Sequence, residues 1–289
     1  MGRAKGPPRR RPSSPAGSTG VKVPRAGPLA ARALAGDHAG RVAAAHRRAV
    51  NLLLDDGPLV TLLPAGSPLH PWAITAALVA SDLARLAEGD RVRVTAAVLE
   101  VGPLRVALAG VEVADLRVAR RPAALSKEDA GLLWRRSVSG ADGGPFDESL
   151  SKVLRRFTRG GDVGGLAALV GLGEGLTPSG DDVIVGVLGG LDAAREASPL
   201  AAPARASLVE ALAGRVARET TLPSAQMIEA AAEGLYAEPV LDVLHVLADV
   251  KRTPAALERS AAALLALGHR SGRDTLRGIA AGLEHAARG

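Results

Sequence analysis

Two stretches of this chain carry the same polar opening on the same apolar frame. Ser179-Gly180-Asp181-Asp182 and Ser271-Gly272-Arg273-Asp274 each begin a segment of pattern S-G-x-D-x-x-x-G-x-x-x-G-L, 92 positions apart. A helix start leaves backbone N–H groups unpaired, and those groups attract anions. Two matching starts, each with an aspartate at the same offset, point to one binding site built from two halves. Asp182 and Asp274 are then the candidates for acid–base or positioning work. Ser179, Gly180, Asp181, Ser271 and Gly272 are candidates for ligand contact.

The flanks add further groups. Upstream of the first copy, Gly171, Gly173 and Gly175 let the backbone turn tightly and approach a ligand. Thr177 reads as an N-cap with Pro178 at the first helical position. Capping and the helix dipole alone would also account for hydroxyls and carboxylates here. The second copy is preceded by His269, which could serve as a general acid/base or hydrogen-bond donor, and by Arg270, a cationic donor suited to carboxylate or phosphate. Ser271 and Asp274 read as a capping box, and Arg273 as a solvent-facing cation. Between the copies, Thr220-Thr221-Leu222-Pro223-Ser224 opens a third helix, so Thr221 and Ser224 join the candidates. Asn51 stands as either a turn-side polar group or a ligand-facing one.

Other chemistries lack their residues. Cysteine is absent, which excludes thiolates and disulfides, and aromatics are 2% of the chain, too few for base-stacking platforms. No histidine pair has zinc-like spacing beside a carboxylate. Asp181, Asp182 and Asp274 could hold Mg²⁺; no other cofactor is called for. There is neither a G-K-[ST] phosphate loop nor a G-x-S-x-G elbow.

The elements that must position these residues fall into two kinds. Residues 29–122 read as a mixed unit with a mainly antiparallel sheet. It holds a helix over 29–48, a hairpin from 50–54 and 59–63, a helix over 72–86, and strands over 92–101, 104–108 and 111–118. Residues 123–289 read as a helical unit, with helices at 126–136, 147–158, 162–171, 177–196, 203–219, 223–235, 239–249, 254–267 and 271–287. The fold class is thus α+β, with the boundary near 122. Gly186 and Gly190 share one helix face, as do Gly278 and Gly282. Each costs about 1 kcal/mol relative to alanine in a helix, a cost offset if another helix approaches closely. The 179–196 and 271–287 helices are therefore expected to pack together, bringing Asp182 and Asp274 near one another.

The formal charge of +6 resides in one end. Residues 1–36 hold eight of the 36 basic residues and none of the 30 acidic ones, leaving 28 against 30 for the rest. Without a basic surplus on the body, specific nucleic-acid binding is not expected. Residues 1–28, rich in Pro, Arg, Gly and Ser, read as a disordered basic tail. No apolar run reaches membrane-spanning length and no signal-peptide core precedes Leu29, so the expected location is cytoplasmic, away from membranes.

Three segments together, G-L-G-E-G-L-T-P-S-G-D-D (171–182), T-T-L-P-S-A (220–225) and G-H-R-S-G-R-D (268–274), resemble the signature of the family of the AllH-type subunit of oxamate carbamoyltransferase. The hairpin V-N-L-L-L-D-D-G-P-L-V-T-L (50–62) is similar to that family's N-terminal half. The resemblance spans roughly 45–289. It implies a place in a carbamoyltransferase assembly with other subunits, converting oxalurate and phosphate to oxamate and carbamoyl phosphate in allantoin breakdown. It transfers no catalytic residue. The alternatives are a non-catalytic interaction subunit and a protein that binds another small carboxylate.

Overall fold

The computed structural model describes residues 24–55, 57–119, 126–139, 145–268 and 270–288. The N-terminal elements are β1 (Arg25–Ala26), α1 (Pro28–Ala33), β2 (His38–His46), β3 (Ala49–Leu54), β4 (Leu59–Pro64), β5 (Ala73–Ala76), α2 (Ala80–Leu83), β6 (Arg91–Val94), β7 (Val98–Val101), β8 (Leu104–Ala107) and β9 (Glu112–Val113). They form one nine-stranded sheet of order β8-β7-β6-β2-β3-β4-β5-β1-β9. Only β4–β5 and β1–β9 pair in parallel.

Alternation sets the faces of this sheet. On β3, Val50, Leu52 and Leu54 are buried in a core shared with Val60, Leu62, Val92 and Leu99, while Asn51 and Leu53 point to the opposite face. That opposite face of β3–β4–β5 meets the helices. Leu63 and Ala73 belong to the helical core, and β4 is buried on both sides.

The helical half comprises α3 (Lys127–Val138), α4 (Pro145–Gly160), α5 (Val163–Ala167), α6 (Ser179–Ala193), α7 (Ala201–Leu212), α8 (Val216–Glu219), α9 (Leu222–Ala232), α10 (Glu238–Ala248), α11 (Pro254–Leu265) and α12 (Ser271–Ala286). The α+β architecture is as the sequence led one to expect, and so is the hairpin of β3 and β4. Several details differ. The strand expected over 92–101 is the antiparallel pair β6 and β7, and of that expected over 111–118 only Glu112–Val113 is a strand. The helix expected over 29–48 is the short α1 followed by the nine-residue strand β2. The helix expected over 72–86 is β5 and a single turn, α2. A strand buried on both faces is continuously apolar and has no period to betray it. The 203–219 helix is broken in two at Gly214, whose φ of 68° lies in the left-handed region. Residues 1–23 of the expected tail, and the boundary near 122, lie outside the described residues. Arg25 and Ala26, also assigned to that tail, are a strand between β5 and β9.

The pairing of α6 with α12 is the central packing event. A Cβ placed on Gly186 would lie 2.0 Å from the Thr275 carbonyl oxygen and 2.9 Å from Gly278 Cα; one on Gly278 would lie 2.1 Å from the Val183 carbonyl oxygen. Gly190 and Gly282 repeat the arrangement one turn along, with a Cβ on Gly190 3.1 Å from Gly282 Cα. The two backbones touch because four side chains are missing, as the glycine spacing foretold. Both helices are buried over nearly their whole length.

Candidate functional site

The backbone contact of α6 with α12 sets their first turns side by side. Ser271 lies close enough to the Asp182 carboxyl to favour its anion, and Ser179 does the same for Asp274. The repeat is thus a reciprocal exchange, each serine serving the other helix's aspartate. One oxygen of each carboxylate, Asp182 Oδ2 and Asp274 Oδ2, is buried without a partner.

The two halves face different surroundings. Asp274 is 1% exposed and lies among charges. Arg277 approaches it at 3.5 Å and Arg273 at 3.9 Å, and Arg277 also bonds Asp147 at 2.6 Å. Burial raises the Asp274 pKa, opposed by Ser179, Arg277 and Arg273. Burial also disfavours the Asp147 anion, but the Arg277 hydrogen bond and charge, with help from Arg273 and Arg270, hold its pKa below the ordinary range. Arg273, expected to face solvent, is instead largely buried against Asp274.

Asp182 lines a cavity of about 280 Å³ between the helices and the outer face of the sheet. Its other polar walls are Ser271, Thr275, Thr177 and Gln226 from the helical half and Asn51, Thr61 and His70 from the sheet half; Trp72, Val185, Met227, Val240, Leu264 and Leu267 make it largely apolar. No Lys or Arg lines it among the described residues. Burial drives the Asp182 pKa up to about 7, eased by the Ser271 hydrogen bond and raised further by the charges of Asp274 and Asp181. Burial also pushes His70 down to about 4, so its imidazole is neutral. His70 as a residue is only partly buried, yet its Nδ1 is buried without a partner.

The sheet side is fixed by hydrogen bonds that cross between the halves. Asn51 and Thr61 are register partners on β3 and β4, and Thr61 Oγ1 donates to Asn51 Oδ1 at 3.1 Å. Gln226 on α9 accepts from Leu59 N–H at 3.1 Å and donates back to Leu59 O at 3.3 Å. Trp72 Nε1 donates to Gln226 O at 3.2 Å. Glu238 at the start of α10 bonds Arg25 at 2.7 Å and Leu69 N–H at 2.8 Å, securing the segment that carries His70.

Of the residues singled out from sequence, Asp182, Thr177, Ser271 and Gly272 line the cavity. Asn51, left open, lines it too. Asp181 holds loops together: its carboxylate accepts from Gly171 N–H at 2.8 Å, from Ser224 at 2.6 Å and from Thr220. Thr221 caps α9, accepting from Ser224 N–H, and donates to Leu176 O at 2.6 Å. Gly173 and Gly175 have φ of 124° and 94° in an exposed loop, outside the cavity lining. Gly180 and Gly272 occupy equivalent positions, where a Cβ would collide with Leu169 O or Leu264 O. Arg270 precedes α12, and its charge acts on Asp147. His269 lies outside the described residues. Sequence reasoning missed His70, Trp72, Thr61 and Gln226. A histidine and a tryptophan flanking Pro71 in so aromatic-poor a chain was the one available signal.

The capping expectations need correction. Thr177 is not the cap of α6: Pro178 holds that position, with no side-chain hydrogen bond. Ser271 is the first helical residue of α12, so Ser271 and Asp274 form no capping box, and both side chains are free to serve the opposite helix. Nor are the helix tips rich in unpaired amides. Gly180 N–H donates to Leu172 O, Asp181 and Asp182 N–H to Pro178 O, Gly272 N–H to Leu267 O, and Asp274 N–H to Arg270 O. An anion cradle of backbone N–H groups is therefore mostly occupied by the protein itself. Among the described residues no three His, Cys, Asp or Glu gather to hold a metal ion, and no helix is long and apolar enough to cross a membrane.

Two family models match the chain: one described as the oxamate carbamoyltransferase subunit AllH over residues 169–283, and one described as the AllH family N-terminal domain over residues 24–113. No solved structure matches. The first covers α6, α9 and most of α12; the second covers the strands bearing Asn51 and Thr61 and the connection before β5 that bears His70 and Trp72. The cavity lies between the two matched regions.

Proposed function

The chain belongs to the AllH family of oxamate carbamoyltransferase subunits, and from that premise we propose that it holds the carbamoyl group while an assembly of subunits exchanges oxalurate and phosphate for oxamate and carbamoyl phosphate. In that reaction a phosphate oxygen bonds to the carbamoyl carbon. The bond from that carbon to the oxamate nitrogen breaks. The nitrogen keeps the electron pair and takes up the proton that phosphate releases.

One observation carries this reading: Asp182, its anion favoured by Ser271 and its Oδ2 buried without a partner, on the wall of a largely apolar cavity. As a carboxylate it can accept an N–H of the carbamoyl NH₂. With a pKa near 7 it exists in both forms at neutral pH, as moving a proton to the departing nitrogen requires. A purely structural aspartate would resemble Asp181, whose carboxylate accepts three hydrogen bonds. Since no Lys or Arg is among the described lining residues, this reading leaves the anionic ends of the reactants, phosphate above all, to groups at the cavity's edge or on another subunit. Leu172, Leu176 and Leu222 are exposed by 47%, 57% and 44%, the last two next in sequence to the lining residues Thr177 and Pro223, and they suit a surface that a partner covers.

The test is reconstitution. Purified partner subunits with this chain should form carbamoyl phosphate from oxalurate and phosphate, and should not do so when this chain is left out. Undiminished turnover without it would place the chemistry elsewhere.

A further inference from the structure

The sequence offered helix-tip amides as anion-binding groups, but those amides are mostly occupied. Carbamoyl transfer still needs a donor for the carbonyl oxygen, because the attacking group pushes the C=O electron pair onto that atom. Among the described residues, the cavity lining holds two titratable side chains, Asp182 and His70. Each carries a buried polar atom with no partner in the protein, Asp182 Oδ2 and His70 Nδ1.

The histidine's tautomer follows from its surroundings. An unpaired N–H donor is costlier to bury than an unpaired lone pair. Nδ1, sealed and unpartnered, therefore takes the lone pair, and the proton sits on Nε2. No described group bonds Nε2, so the imidazole presents an uncommitted N–H donor from the cavity wall. Asp182, on the helical wall, presents an acceptor. A carbamoyl group has both complements, an NH₂ that donates and a C=O that accepts.

We infer that His70 is a ligand-contacting residue, donating from Nε2–H to the carbonyl oxygen of a carbamoyl group whose NH₂ is held by Asp182. This rests on the carbamoyl-binding reading and adds the group that receives the oxyanion. A neutral imidazole suits that task, since it gives a hydrogen bond without surrendering its proton. Its place on the sheet half explains why a carbamoyl site would need both matched regions of the chain.

Two measurements test it. First, ¹⁵N NMR of histidine-labelled full-length chain should show His70 as the neutral Nε2–H tautomer at pH 7. Its Nε2 resonance should move on adding oxalurate or, as an uncharged carbamoyl probe, N-methylurea. An Nδ1–H tautomer, or a resonance that neither probe moves, overturns the assignment. Second, in the assembled enzyme His70→Phe should lower kcat about 10²–10³-fold, the usual effect of losing one oxyanion donor, with little change in KM. His70→Gln, which keeps an N–H donor, should recover part of the loss. If His70→Phe assembles and turns over like wild type, His70 has no such role while the carbamoyl reading stands. If an assembly with wild-type His70 never forms carbamoyl phosphate, that reading fails, and the NMR result still decides whether His70 touches a carbamoyl ligand.

Discussion

Ser271 on α12 favours the anion of Asp182 on α6 across the contact between the two helices. Among the described residues it is the group that opposes the burial driving Asp182 toward its acid form. Ser271→Ala should therefore move the Asp182 titration above its wild-type position near pH 7. Carboxyl ¹³C chemical shifts followed against pH would read this directly; an unmoved titration would mean the hydroxyl does not stabilise the anion.

The same carboxyl gives stability a pH dependence of definite sign. Folded, Asp182 keeps its proton to about pH 7; its ordinary value is 3.8. Between those limits the native state binds more protons than the unfolded one, so stability falls as pH rises from about 4 to about 7 and levels off above. Asp182→Asn removes this contribution. Comparing urea midpoints of wild type and variant at pH 5 and pH 8 should show the variant gaining relative to wild type at the higher pH. A difference independent of pH would mean the carboxyl is not buried as described.

The glycine contacts make a sharper structural test. Gly186→Ala and Gly278→Ala each set a methyl about 2 Å from a backbone carbonyl oxygen, which no side-chain movement relieves. A loss of about 1–3 kcal/mol or more is expected from such overpacking. Gly189→Ala on the same helix meets side-chain atoms of Leu244 at 3.2 Å and Tyr236 at 3.4 Å, which can adjust. Its helix-propensity gain of about 1 kcal/mol should offset the strain. Equal losses at Gly186 and Gly189 in denaturant titrations would count against the α6–α12 contact.

Asp181 and Asp182 are neighbours with opposite duties. Asp181→Ala leaves Gly171 N–H, Thr220 and Ser224 without their shared acceptor, and hydrogen bonds to charged groups contribute about 1.5–3 kcal/mol each. The expected result is faster amide hydrogen exchange through residues 171–178 and a lowered urea midpoint. Unchanged exchange in that loop would show that the three contacts do not hold it.

The repeat was readable because it is local. Helix starts, four-residue glycine spacing and the offset of Asp182 and Asp274 all lie within short windows, and together they foretold the backbone contact. What the aspartates face was not readable. Asp182 and Asp274 stand at the same motif position, yet Asp182 meets a cavity whose other wall is the sheet half, while Asp274 meets Arg273 and Arg277. His70, Trp72 and Gln226 reach the site through the packing of the two halves, and the run His70-Pro71-Trp72, although unusual in this chain, does not say what it will face. Ala73–Ala76 was misread for a related reason: a strand covered on both faces loses the alternation that identifies strands.

The most direct measurement compares Asp182→Asn with Asp274→Asn in the reconstituted assembly, by turnover of oxalurate and phosphate. With the assembly intact, Asp182→Asn should lose about 10²-fold or more in kcat, the scale of a missing acid–base group. Asp274→Asn, outside the cavity lining, should lose much less. Full activity in Asp182→Asn, or a larger loss in Asp274→Asn, would contradict the assignment of the chemistry to the Asp182 side of the helix pair.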